Sequence, residues 1–207
     1  MVGRYCVLDR LDPDAHATAL YDALVRDGDE RSWTYLPYGP FASEPEFRRW
    51  IDGCVGDDPL FFAITQAGEI GPSGVASYLR ISPEAGSIEV GHIHFSARLK
   101  RTAAATEAMY LLMMNAFALG YRRYEWKCDA LNVPSRSAAE RLGFRYEGTF
   151  RNATVYKGRS RDTAWFAVVD DEWPRLRKEF ERWLTPENFD GEGRQRSRLA
   201  LSPRGRP

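Results

Sequence analysis

The stretch whose reading decides the fold is residues 87–144, SIEVGHIHFSARLKRTAAATEAMYLLMMNAFALGYRRYEWKCDALNVPSRSAAERLGF. Ser87 to Ser96 is rich in β-branched and aromatic residues and reads as a strand. A short basic turn follows at Leu99-Lys100-Arg101. From Lys100 to about Leu119, apolar residues fall at Ala105, Met109, Leu112, Ala116 and Leu119, the spacing of an amphipathic helix, and Gly120 ends it. Tyr124 to Cys128 reads as the next strand. Pro134 to Leu142 is a short helix with Gly143 as its left-handed cap.

Working outward, Tyr5 to Leu11 predicts a first strand. Asp12 then caps a helix from Pro13 to about Arg26, stopped by Gly28. Trp33 to Phe41 is dense in aromatics, but Pro37, Gly39 and Pro40 exclude a regular element. Ser43 with Glu46 is a capping box, opening a helix through Phe47, Trp50 and Ile51. Leu60 to Thr65 and Gly74 to Ile81 are strands joined by short turns to Ser87, which predicts an antiparallel meander. Beyond Phe144, three strands are expected (Phe144–Phe150, Thr154–Lys157, Thr163–Val169), then a helix from Asp171 to Leu184. Helices, a meander and a central strand–helix–strand crossover make an α+β fold in three layers. Residues 1–189 are expected to be a single domain.

The charge balance narrows the partners. The 207 residues carry 29 basic and 29 acidic side chains, which argues against wholesale nucleic-acid binding. Residues 190–207 hold five arginines against Asp190 and Glu192, a local +3. With Gly, Ser and Pro and little apolar periodicity, this tail is expected to be disordered. No apolar run approaches the ~20 residues that cross a bilayer, and Met1–Cys6 has no apolar core of an export leader. Cys6, Cys54 and Cys128 are few and scattered, as reduced thiols in the cytoplasm would be. Neither they nor the three histidines have metal-ligand spacing, so no metal is expected.

The turn from Leu99 to Glu107 is where chemistry could sit. A helix start offers unpaired N–H groups and a positive dipole end, which suits a phosphate. Ala103, Ala104 and Ala105 would let a ligand approach the backbone, with Lys100 and Arg101 adding charge at the entrance. Many helices begin this way, so the turn alone does not decide.

Two segments together carry more. Lys100-x-x-Ala103-x-Ala105 after the Ser87–Ser96 strand, and Asn132-Val133-Pro134-Ser135 running to Arg141-Leu142-Gly143-Phe144, resemble the GNAT superfamily of N-acetyltransferases and its RimJ/RimL-like branch. The likeness covers about residues 4 to 184. It implies a mixed, mostly antiparallel central sheet with a splayed strand pair and helices on both faces. It also implies an acetyl-CoA-dependent N-acetyltransferase that releases CoA after direct transfer to a primary amine.

The resemblance assigns roles. Backbone groups of Ile93, Phe95 and Ala97 would pair with pantetheine. The amides of Arg101, Thr102, Ala103, Ala104, Ala105 and Thr106 would hold the pyrophosphate, and Asn132 would bond the cofactor arm. Glu89 would be the base, acting through water, and Ser135 the proton donor to the departing thiolate. Read as ordinary structure, Glu89 faces solvent or pairs with a cation, Ser135 caps its helix and Asn132 steadies a turn. Ala103 and Lys100 depart from the usual Gly and Gln or Arg, although Ala serves where the backbone is already helical. Thr154 stands where RimL-like enzymes carry a Glu, which argues against a ribosomal-protein substrate.

For the acceptor, Trp33, Tyr35, Tyr38, Phe41 and Trp126 offer flat surfaces, though aromatics are equally core material. His92 and His94 share a strand face opposite Glu89 and are suited to proton shuttling or to packing. Cys128 has no base partner and reads as a small buried residue. The acceptor would be a peptide N-terminus, a small amine or an aminoacyl nucleotide. The rival reading is an inactive CoA-binding sensor or interaction module. Homodimerisation is left open.

Overall fold

In the computed structural model, which describes residues 1–201, Asp12 accepts a hydrogen bond from the Asp14 amide at 2.9 Å and opens α1, Pro13–Tyr21. One wider turn, Asp22–Arg26, continues it. Ser43 Oγ accepts from the Glu46 amide at 3.4 Å and starts α2, Glu44–Asp52, while the Glu46 carboxylate reaches back to the Ala42 amide at 2.9 Å. The predicted capping box is therefore closed one residue early.

The described chain forms two compact units, Met1–Ile81 with Glu89–Leu111, and Ser82–Ile88 with the chain from Leu112 onward. In the first unit the meander is observed. Strands β1 (Cys6–Arg10), β2 (Leu60–Gln66), β3 (Gly74–Ser82) and β4 (Ser87–Phe95) lie side by side in chain order. β1 pairs antiparallel with β2, placing Cys6 opposite Gln66, and β2 with β3, placing Leu60 opposite Tyr78. Helix α3 then runs Ala103–Ala118.

Trp33 is 1% exposed at the centre of this unit's core, among Leu20, Leu24, Phe47, Ile51 and Phe61. Its ring meets Phe41 edge-on at 5.2 Å and Trp50 at 6.1 Å. Gly39 sits against the same ring with φ +64°, where an added Cβ would come within 2.6 Å of it. A side chain there would be both strained and obstructed.

Helix α3 is not the amphipathic surface helix the spacing predicts, since every residue from Ala104 to Met113 is buried. The one charged residue in that run, Glu107, accepts hydrogen bonds from the amides of Arg4, Tyr5 and Cys6 at 2.8, 2.6 and 2.9 Å. A buried carboxylate is tolerated when its oxygens are this well supplied with donors, and the arrangement ties the start of the chain to α3.

In the second unit β7 (Arg159–Val169) lies between β5 (Arg123–Asp129) and β6 (Arg145–Tyr156), antiparallel to both. Two strands replace the three expected after Phe144. Asn152, at φ +49°, makes a bulge between Phe150 and Thr154 where a turn was expected, so the ladder continues. The turn comes at Lys157 and Gly158, both with positive φ, as in a tight two-residue hairpin. Helix α4 is Val133–Arg141 and α5 is Trp173–Trp183. Gly143, at φ +88°, passes so close to α5 that an added Cβ would lie 2.9 Å from Leu176.

The tail expected to be disordered is ordered through Leu201. Trp183 Nε1 donates to Gln195 at 3.0 Å, Ser197 donates to Asn188, and the Ala200 amide donates to Glu179 at 2.8 Å. Leu201 is 1% exposed. One buried leucine and the hydrogen bonds from Arg175, Arg182 and Trp183 of α5, with Glu179 accepting in return, outweigh the polar composition; residues 202–207 lie outside the described residues. Among the described residues no helix is long and apolar enough to cross a membrane, and no cluster of His, Cys, Asp and Glu is arranged for a metal ion.

Candidate active site

The turn between β4 and α3 is built from its ends inward. The Ser96 amide donates to Ser73 O, just ahead of β3, at 2.9 Å, and Ser96 O accepts from the Lys100 amide at 2.9 Å. Leu99 is fully buried beneath, fitted against Gly74, where an added Cβ would be 2.6 Å from Leu99 Cδ2. Thr102 caps the helix. Its hydroxyl donates to Leu99 O at 2.8 Å and accepts from the Ala105 amide at 3.1 Å, while its carbonyl accepts from the Thr106 amide at 3.4 Å.

These bonds redraw the predicted cradle. Ala105 and Thr106 spend their N–H groups inside the helix, and the Thr102 amide donates to Leu99 O at 3.4 Å. The amides of Arg101, Ala103 and Ala104 have no acceptor among the described residues. Positive φ falls on Arg101, at +65°, and not on Ala103, which is already helical. Alanine in place of glycine therefore carries no backbone strain. Lys100 and Arg101 are exposed beside these amides. Partial burial lowers the Lys100 pKa, against the pull of Asp29. Three directed N–H groups, a helix N-terminus and two cations form a fitting seat for a pyrophosphate. Upstream, Ile93 and Phe95 are half-buried and Ala97 is exposed.

Glu89, on β4, is 2% exposed and held as a fork by Arg80, whose Nε and Nη2 donate to its two oxygens at 2.8 and 3.0 Å. Arg80 has left-handed backbone, φ +47°, fixed by Asp58, which accepts the amides of Arg80 and Ile81 at 2.8 and 3.1 Å. The cation-paired arrangement is thus the one adopted.

His92 departs from strand geometry at φ +50°, and its Nδ1 lies 3.0 Å from Tyr38 Oη. Burial, helped by Arg80, pushes its pKa down to about 4, so the ring is neutral at pH 7. His94 is buried edge-on to Trp33 at 4.0 Å with Nε2 2.9 Å from Ser32 Oγ, and burial lowers it to about 3.

His92 forms one wall of a cleft of about 420 Å3 with Tyr38, Trp50, Cys54 and Phe61, while Arg49 and Asp58 stand at the same opening. Of the aromatics proposed to line an acceptor pocket, Trp33 and Tyr35 are not among its walls, and Trp33 presents no surface. The trait that separates them is position. Trp33 points into the core from its short helical turn, Glu30–Trp33, whereas Tyr38 lies between Pro37 and Pro40, in contact with His92 of β4.

In the second unit, Asn132 and not Ser135 caps α4, its Oδ1 accepting from the Ser135 amide at 3.1 Å. The Ser135 hydroxyl accepts instead from Trp126 Nε1 at 3.1 Å. Trp126 is 5% exposed and packs edge-on to Phe144 at 5.5 Å. Burial raises the Cys128 pKa, and a hydrogen bond from Ser135 works against that. Sequence reading missed this cluster, although a signal existed: Trp126 and Cys128 are two apart on a strand and so face the same side.

With the geometry in hand, relatives can be placed. A family profile described as an acetyltransferase (GNAT) domain matches residues 7–145. A GCN5-related N-acetyltransferase from Brucella melitensis is 47% identical with a TM-score of 0.93, covering 96% of this chain and 90% of its own. A protein described as a GNAT-family acetyltransferase from Chromobacterium violaceum is 41% identical with a TM-score of 0.79, covering 84% of this chain and 87% of its own. The ribosomal-protein acetyltransferase RimL is 21% identical with a TM-score of 0.69, covering 82% of this chain and 92% of its own, a likeness of fold alone. None of the curated proteins matches. By the profile over two thirds of its length and by relatives alike along nearly all of it, the chain belongs to the GNAT family of acetyltransferases.

Proposed function

We propose that this protein is a cytoplasmic N-acetyltransferase that moves an acetyl group directly from acetyl-CoA to a primary amine. The observation that carries this reading is the trio of amides at Arg101, Ala103 and Ala104, without acceptors among the described residues, at the start of α3. When bound there, acetyl-CoA supplies the activated acyl group. The amides would take the pyrophosphate oxygens, with Lys100 and Arg101 neutralising charge. The backbone of Ile93, Phe95 and Ala97 would pair with the pantetheine amides, and the Asn132 amide nitrogen, its oxygen being used as a cap, would bond the same arm.

The acceptor would enter the cleft of Tyr38, Trp50, Phe61 and His92. Clefts of several hundred Å3 take a small ligand or a dipeptide-sized end. Its aromatic walls favour an amine on an apolar or aromatic body, whether a peptide N-terminus, a small amine or an aminoacyl nucleotide. Glu89 would receive the amine proton through a water, its carboxylate held in place by the Arg80 fork. Neutral His92 would accept or donate one hydrogen bond without adding charge. Ser135 would hand its hydroxyl proton to the departing sulfur.

The test is a panel of primary amines offered with acetyl-CoA, with thiol release as readout. Turnover that prefers aromatic or apolar amines, and falls in Phe61→Ala more than in Glu69→Ala, is expected. An enzyme that binds acetyl-CoA yet turns over no amine would favour the inactive CoA-binding module.

A further inference from the structure

Ser135 has one proton and two lone pairs to place. Its backbone amide is used by the Asn132 cap, so its hydroxyl is not needed at the helix start. One lone pair accepts the indole N–H of Trp126 at 3.1 Å. An indole N–H can only donate, so this bond has a fixed polarity that a water or a second hydroxyl would not impose. The Ser135 proton must then point away from the ring. The ring that sets this direction cannot drift, because Trp126 is buried on β5 and wedged against Phe144.

We propose that Trp126 is a positioning residue that fixes Ser135 as a one-way donor to sulfur; the inference rests on the acetyl-transfer reading above and assigns Trp126 a task within it. As the carbon–sulfur bond of the donor breaks, its electron pair goes to sulfur. Ser135 Oγ releases its proton to that sulfur and is reprotonated from solvent, the amine proton having gone to Glu89. While Oγ is short of its proton, the indole N–H bond to it becomes charge-assisted and strengthens. The bond is therefore worth most at the transition state and should appear in kcat, not in KM. This replaces the expected role of Trp126 as an acceptor-binding surface.

The experiment is a double-mutant cycle on the full chain with Trp126→Phe, which keeps a packing ring and deletes the N–H, Ser135→Ala, and both together. Trp126→Phe should lower kcat about 10-fold or more with KM for acetyl-CoA within about twofold. In the Ser135→Ala background the same change should cost nothing further, because its only route is through the hydroxyl. A multiplicative loss in the double variant, or full activity in Trp126→Phe while Ser135→Ala is impaired, would overturn the inference and leave acetyl transfer standing. A parent protein with no turnover would remove both. Should Trp126→Phe fail to fold, ¹⁵N spectra of the parent and Ser135→Ala decide. The Trp126 indole N–H resonance must shift on losing its acceptor, and an unmoved resonance would refute the bond on which the proposal stands.

Discussion

Replacing Ala103 by proline removes one of the three unpaired amides and nothing else. Ala103 is the first residue of α3, where proline is the favoured imino acid because its N–H would be an orphan and its φ is already helical. The residue before a proline is pushed to extended backbone, the conformation a cap such as Thr102 ordinarily takes. No hydrogen bond within the protein is lost, since the Ala103 amide has no acceptor among the described residues. The fold should therefore melt within about 2 °C of the parent. The ligand loses one donor to a charged oxygen, worth about 1.5–3 kcal/mol, so acetyl-CoA should bind about 10- to 100-fold more weakly. Ala103→Gly keeps the N–H and should bind within a few-fold of the parent. Calorimetric titration measures both. An unchanged dissociation constant for Ala103→Pro in a normally melting protein would refute the claim that these amides hold the pyrophosphate.

Other expectations follow from the same contacts. Glu107→Ala strands three N–H groups of the N-terminal segment and should cost about 2–4 kcal/mol in urea denaturation, with Glu107→Gln, which keeps one acceptor oxygen, losing less. Gly74→Ala places a methyl 2.6 Å from Leu99 and 3.2 Å from the His94 carbonyl, so it should destabilise by about 1–3 kcal/mol and weaken acetyl-CoA binding by shifting the turn above it. His92 and His94, with pKa values near 4 and 3 when folded, take up protons at about 6.5 once unfolded. The unfolded chain binds more protons in that window, so stability should be flat above pH 7 and fall as pH drops from about 6.5 toward 4. His92→Phe should shrink the difference in melting temperature between pH 7 and pH 5.

The elements of local origin were legible: Asp12 and Ser43 cap helices, and Gly143 ends one, because each signal acts within four residues. What composition suggests but contacts decide was not. α3 reads as amphipathic on its spacing, yet it is buried almost throughout, and Glu107 survives there through backbone donors about a hundred positions away in the chain. Trp33 and Tyr38 sit five apart in one aromatic run, and only packing decides which becomes core and which meets the cleft. The six amides expected to grip the cofactor became three because the Thr102 hydroxyl and carbonyl take the Ala105 and Thr106 amides and Leu99 O takes that of Thr102. A threonine three residues before Ala105 could have announced that cap. The Arg80 clasp on Glu89 depends on left-handed backbone stabilised by Asp58, for which no sequence rule exists. The tail shows the reverse: its arginines read as solvent-facing, while Leu201 and the side chains of α5, chiefly the donors Arg175, Arg182 and Trp183, order it.

The central claim is that the turn from Ser96 to Ala104 seats the pyrophosphate of acetyl-CoA. Its most direct test is calorimetric titration of acetyl-CoA, and in parallel of desulfo-CoA, into the parent protein. Saturable binding of both at one site per chain is predicted, because the contacts invoked lie on the pyrophosphate and pantetheine and not on the sulfur. Absence of heat and of saturation for either ligand would contradict the account.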